Sequence, residues 1–156
     1  MIPKEPGKTS LDKGPGAEAG EGLVGLTTGA LTPEILDLIL TCLPVDISFV
    51  DEQDTVRYYS ATPKRIFART PAVIGRQVQN CHPQKSVHMV ERILADFKAG
   101  KRDVAEFWLE MGERFVHIRY WPVRDEAGRY LGCLETVQDV TGIRALAGQK
   151  RLLDEA

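Results

Sequence analysis

The chain has 156 residues, enough for one ordinary domain of about 100–150 residues with a tail and too few for two. Its 20 Lys+Arg against 22 Asp+Glu leave a formal net charge of -2, which lacks the basic footprint that nucleic acid or an anionic membrane surface demands. The most apolar stretch, 35–43, is about half the ~20 residues of a membrane span, and Met1 opens no signal peptide, so the chain is read as cytoplasmic. Cys42, Cys81 and Cys133 are an odd and widely spaced set, which suits reduced thiols better than a disulfide framework.

Residues 1–30 are rich in Gly, Pro and charge and nearly free of large apolar side chains, so they are expected to form a disordered tail. Thr32-Pro33-Glu34 then reads as a helix start: a side-chain oxygen for free N–H groups, a proline where no donor is needed, and an early acid. Ile35, Leu36, Ile39, Leu40 and Leu43 recur at helical spacing up to Pro44. The β-prone runs DISFV and TVRYYS, separated by Asp51-Glu52-Gln53-Asp54, read as a hairpin. Between Ala61 and Cys81 the pattern breaks around Pro63, Pro71 and Gly75, and two or three single-turn helices are expected. Pro83 opens a longer helix ending at Gly100, with Val87, Met89, Val90, Ile93, Leu94 and Phe97 in one broad apolar stripe.

Three strands follow, at 104–111, 114–123 and 130–138. The first two meet at Gly112-Glu113, a two-residue turn whose leading glycine suits type II′. Pairing Met111 with Arg114 sets Leu109 opposite Val116, Phe107 opposite Ile118 and Ala105 opposite Tyr120 as the core face. Glu106 then faces Arg119, and Trp108 faces His117. Keeping Glu135 out of the core sends Gly132, Leu134, Thr136 and Gln138 inward on the last strand. The outer face then holds Trp108, Phe115, Trp121, Leu131, Cys133 and Val137. Residues 141–156 carry Ile143, Leu146 and Leu153 at helical spacing, but Gly142 and Gly148 make that a marginal exit helix.

This order resembles the layout of the PAS fold over residues 31–153: an α+β domain, 31–140, with a five-stranded antiparallel sheet, short helices and one longer helix on one face, and flanking helices. LPVDISFVDEQDTVRYYS is similar to the first hairpin of that family, and ETVQDVTGIRAL resembles the strand end, Asp-Val-Thr junction and signalling helix that close it. NCHPQKSVH, with PVDISFVD before it and DVAEFWLEM after it, more closely resembles the C-terminal PAS module of bacterial and archaeal proteins carrying an upstream hemerythrin-like domain. The segment before Leu31 is too short for that domain, so the sensor is expected without its output element. The resemblance implies a sensory, signal-transducing domain with a core pocket for a small ligand and a relay through the C-terminal helix.

Cys81, His82 and His88 offer the most tempting chemistry. Their spacing lacks the two close pairs of structural zinc, so no metal site is expected. The resemblance makes haem the better-motivated cofactor, because haem-binding relatives carry the axial histidine on the long helix or just before it. His88 falls about 180° from the centre of the apolar stripe, which leaves His82 as the axial candidate. The plainer alternative, that Asn80, Cys81 and His82 cap a helix start and fix a loop, carries more weight. NCHPQ departs after two residues from the N-C-R-F-L-Q motif of the blue-light branch. Thr136 and Gln138, if inward, could orient a ligand by hydrogen bonds. Tyr58, Tyr59, Phe67 and Phe107 read first as core packing.

No Gly-rich phosphate loop, nucleophile elbow or His-Glu-x-x-His stretch is present, and Glu106 and Glu110 fit a solvated or ion-paired face, so no enzyme is expected. Two functions are thus expected: a small-molecule sensor, or a ligand-free interaction module. The second would pair as a homodimer or with a signalling protein through Trp108, Phe115, Trp121, Leu131, Val137 and the amphipathic 32–43 helix.

Overall fold

The computed structural model describes residues 21–152, and the chain divides into two compact units, Met1–Ile39 and Leu40–Ala156. In the first, β1 (Val24–Leu26) and β2 (Gly29–Leu31) form an antiparallel pair and α1 (Pro33–Cys42) begins. All but Leu31 of the strand pair falls inside the expected disordered tail and corrects it for residues 24–30. Two three-residue runs around Thr27-Thr28 are too short for periodicity to reveal. Residues 1–20, the rest of that tail, lie outside the described residues. Thr32 caps α1 as its sequence demands, its Oγ1 accepting the N–H of Ile35 at 3.2 Å.

In the second unit β3 (Asp46–Asp51), β4 (Val56–Tyr59), β5 (Ala105–Met111), β6 (Arg114–Arg124) and β7 (Tyr130–Asp139) form one antiparallel sheet in the order β4-β3-β7-β6-β5. Single-turn helices at Pro71–Val73 and Val78–Cys81 fill the Pro-broken stretch, followed by α2 (Gln84–Lys98) and α3 (Thr141–Arg144). Among the described residues no helix is long and apolar enough to cross a membrane.

Local chemistry sets each turn. At β3–β4, Asp51 Oδ1 accepts the N–H groups of Gln53 and Thr55 at 3.0 Å each, and Asp54 takes a φ of 62°, which a short polar side chain tolerates. At β5–β6, φ is 62° at Gly112 while Glu113 stays negative, the signature of type II′. The predicted register follows without a slip, from Met111↔Arg114 to Ala105↔Tyr120. α2 ends with Gly100 at φ 68°; its N–H reaches Phe97 O at 3.1 Å and that of Lys101 reaches Asp96 O at 2.9 Å, which satisfies two terminal carbonyls.

Leu94 and Phe97 of α2 join Val50, Val56, Val78, Ala105 and Cys133 in one core cluster, beside a second built on Val116, Ile118 and Val137. The inner face of the sheet is therefore the face under α2. Phe107 and Leu109 share it, but β5 is an edge strand and both stay partly open, at 38% and 42% exposure. Phe107 stacks on Tyr120 at 5.9 Å between ring centroids.

The facing of β7 is the main correction. Val137 is 2% exposed and Cys133 3%, so the odd-numbered residues of its central part point inward and Gly132, Leu134, Thr136 and Gln138 belong to the outer face. Val137 and Cys133 are core residues, not interface. Leu131 is the extra residue where Val123↔Gly132 gives way to Arg124↔Tyr130, a bulge. Glu135 drove the opposite expectation because a lone carboxylate is expensive to bury, yet this one is paired. Gly132 is fixed by contact: an added Cβ would lie 2.2 Å from Val50 O and 2.7 Å from the Phe49 ring.

The exit helix is shorter than expected. α3 has four residues, residues 145–152 are not helical, and residues 153–156 lie outside the described residues.

Candidate functional site

β3 and β7 are central strands, so what alternates inward on them meets α2 rather than solvent. Ser48 lies opposite Glu135, and Tyr120 of β6 lies opposite Glu135 on its other side. With Asp46, which lies opposite inward-facing Val137 and is 6% exposed, these polar groups interrupt the apolar inner face. Two arginines from the irregular stretch between β4 and α2 complete the cluster.

Glu135 is its hub. Tyr120 donates its hydroxyl to Oε1 at 3.0 Å, and Arg69 Nη2 donates to Oε2 at 3.2 Å. The Arg69 and Glu135 side chains are only 14% and 13% exposed. Arg69 Nε is buried and meets no acceptor among the described residues. Arg65 donates from Nη2 to Ser48 Oγ at 2.7 Å and from Nη1 to Ser60 O at 2.8 Å. Asp46 accepts the N–H of Ile66 at 2.7 Å and the Thr62 hydroxyl. Burial pulls the Arg65 guanidinium below its ordinary value, with Asp46 opposing. Burial, then Glu135, pushes the Tyr120 phenol well up, so it stays a hydrogen-bond donor at neutral pH.

Beside this cluster lies a cavity of about 30 Å³, walled by Val78, Val90, Ile93 and Leu94 on one side and by Ser48, Arg69, Tyr120 and Glu135 on the other. A cavity of this volume holds about one water. A wider cleft of about 390 Å³ near Pro44, Lys64 and Asp139 opens at the surface, without the same convergence of buried donors.

The sequence-derived candidates do not converge. His82 lines the cavity, with Nδ1 3.0 Å from Val78 O. It closes the Val78–Cys81 turn, while α2 starts after Pro83 with no side-chain cap. Cys81 is half-buried and leans on Gln77 O, and His88 is exposed on α2. Among the described residues no three His, Cys, Asp or Glu side chains are grouped to hold a metal. The residues present do not fit a haem either: a cavity of about 30 Å³ beside His82 cannot admit a macrocycle. Thr136 and Gln138 face away from the cavity, opposite Arg119 and His117.

What the sequence reading missed is the Arg65, Arg69 and Glu135 set. The arginines lie in a stretch with no period to index. Glu135 had a signal in the spacing Cys133-x-Glu135-x-Val137, two apolar residues on its own side of the strand.

The outer face carries Phe49, Leu134, Phe115, Trp121 and Trp108, the last 59% exposed. Arg119 lies over Trp121 at 4.7 Å and Arg144 over Phe115 at 4.1 Å. Glu106 lies opposite Arg119 in register, but its carboxylate pairs with His117 Nε2 at 2.5 Å, because Arg119 is drawn to the indole.

The family profile described as PAS domain matches residues 36–141. Among solved structures the chain is similar to a C-terminal domain from Streptococcus mutans, at 35% identity and a TM-score of 0.75, covering 80% of this chain and 97% of that one. It is also similar to the PAS domain of Bordetella pertussis BvgS (19% identity, TM-score 0.53, 69% and 85% covered). A PAS domain from Colwellia psychrerythraea matches at 13% identity and TM-score 0.51, with 70% and 97% covered. These last two speak for the fold alone. A search of the curated proteins finds no match.

Proposed function

The chain belongs to the PAS domain family, and from that premise we propose a sensory module that admits a small molecule to the inner-face cavity and signals to a partner through β7 and α3. The observation that carries this reading is that Glu135, the hub of the polar cluster, sits on the strand that leads into α3. Asp139 at the end of β7 accepts the N–H of Thr141 at 3.0 Å and its hydroxyl at 2.5 Å. Those bonds hold the Asp139 carboxyl below the usual range. Thr141 Oγ1 in turn accepts the N–H of Phe115 at 2.8 Å. A ligand that re-pairs Glu135 biases strand and exit turn together, as a two-state shift. On this reading the module works in a reducing cytoplasm and does no chemistry on its ligand.

NMR titration with a mixture of fragments of up to about ten heavy atoms tests it. Expected are amide shifts at Ser48 and Glu135 accompanied by shifts at Thr141 and Arg144. If no fragment moves the cavity amides, or the shifts end within β7, the reading is lost.

A second reading rests on Trp108, which is 59% exposed on the same sheet face as Phe115 and Trp121. An aromatic face of this kind suits docking to a second copy or a signalling protein. If it docks a second copy, sedimentation should show a dimer that Trp108→Glu disperses.

A further inference from the structure

We infer that the inner-face cavity selects an uncharged molecule of few heavy atoms that presents a carbonyl oxygen to Arg69 Nε and an apolar end to Val90 and Ile93. This rests on the sensory reading above and names its ligand class. The first observation is the free valence: Arg69 Nε is buried without an acceptor, while its Nη2 is engaged by Glu135. A buried donor of this kind is worth far more satisfied than empty, so the ligand brings an acceptor. The second observation is charge. Of the groups that line the cavity, Arg69 and Glu135 form an ion pair, so Arg69 already has its counter-ion. A ligand carboxylate would set a second anion beside Glu135 in a low-dielectric site whose lining arginine is already paired, whereas a carbonyl satisfies Nε and leaves that pair intact. The third is the wall: Val78, Val90, Ile93 and Leu94 give no partner to a second polar end. Val90 and Ile93 are only partly buried, which lets that wall yield to a guest larger than one water.

Acetamide and acetate share size and shape and differ in charge, so they decide the matter on the intact chain by NMR titration and thermal shift. Acetamide is expected to move the Ser48, Arg69 and Glu135 amides and to bind at least about tenfold tighter than acetate. In Glu135→Gln, which removes one anion and keeps the shape, the order should invert and acetate should raise Tm. Arg69→Lys, which keeps the cation but lacks Nε, should weaken acetamide at least about tenfold. Acetate matching or beating acetamide on the wild-type chain overturns the inference, as does binding of neither. The wild-type comparison decides even if a variant fails to fold. Should neither bind while other fragments shift the cavity and Thr141 amides, the sensory reading survives without this ligand class.

Discussion

The hydroxyl oxygen of Thr141 accepts the N–H of Phe115 at 2.8 Å, fastening the start of α3 to β6. Asp139 receives the hydroxyl proton of the same Thr141, so one side chain bridges β7, β6 and the exit turn. A four-residue helix cannot persist by propensity alone. Thr141→Val should cost about 1 kcal/mol in global stability. It should accelerate amide exchange at Phe115 and across 141–144, leaving the amides of β3 protected. Unchanged protection at Phe115 in that variant would refute the tie.

Gly132 sits where β7 passes under Phe49. A methyl there would meet Val50 O at 2.2 Å, against backbone that cannot step aside, and φ is 153°, a region L side chains avoid. Gly132→Ala should therefore destabilise by roughly 3 kcal/mol. A urea midpoint within error of wild type would show that the strand relaxes freely.

Arg69 and Glu135 predict a non-additive pair. Removing either one leaves a largely buried charge without its partner, so Arg69→Met or Glu135→Leu alone should each cost roughly 3 kcal/mol. The double replacement should cost much less than the sum, because both charges leave together. Strict additivity in denaturant titrations would mean the pair is solvated and the cluster is not a unit.

Most of the architecture could be read from residue order because its cues are local. The Gly112 turn sets the β5–β6 register, Thr32 and Pro33 start α1, and Gly100 ends α2. Each of these is decided within a few residues. The facing of β7 was not decided locally. A rule against burying carboxylates turned Glu135 outward and carried Thr136, Gln138 and Val137 to the wrong faces. Its counter-ion, Arg69, lies 66 residues away in a stretch without periodicity. The candidate site was missed for the same reason: it is assembled by tertiary pairing of charges, while the sequence advertised Cys81, His82 and His88 by mere proximity. β1 and β2 escaped notice because three-residue strands carry no usable period.

Cys133 gives the clearest dependence on pH. Burial, then Glu135, pushes its thiol up to about 12, from 9.0 when unperturbed. The sign follows from proton counting: between these values the unfolded chain has released the proton and the native chain has kept it. Stability is therefore unaffected below about pH 9 and falls as pH rises toward 12, by up to about 1.4 kcal/mol per pH unit for this one group. Tyr120 and Tyr130 are raised in the same direction and extend the loss at higher pH. Cys133→Ala should flatten the decline between pH 9 and 12 without altering the curve's shape below it. Alkylation supplies an independent check, since the thiolate is the reacting form. Exposed Cys42 should be modified promptly at pH 8, and buried Cys133 only at the rate of unfolding. Cys133 modified as fast as Cys42 in the folded protein would place that strand face in solvent, against the packing of β7 on α2.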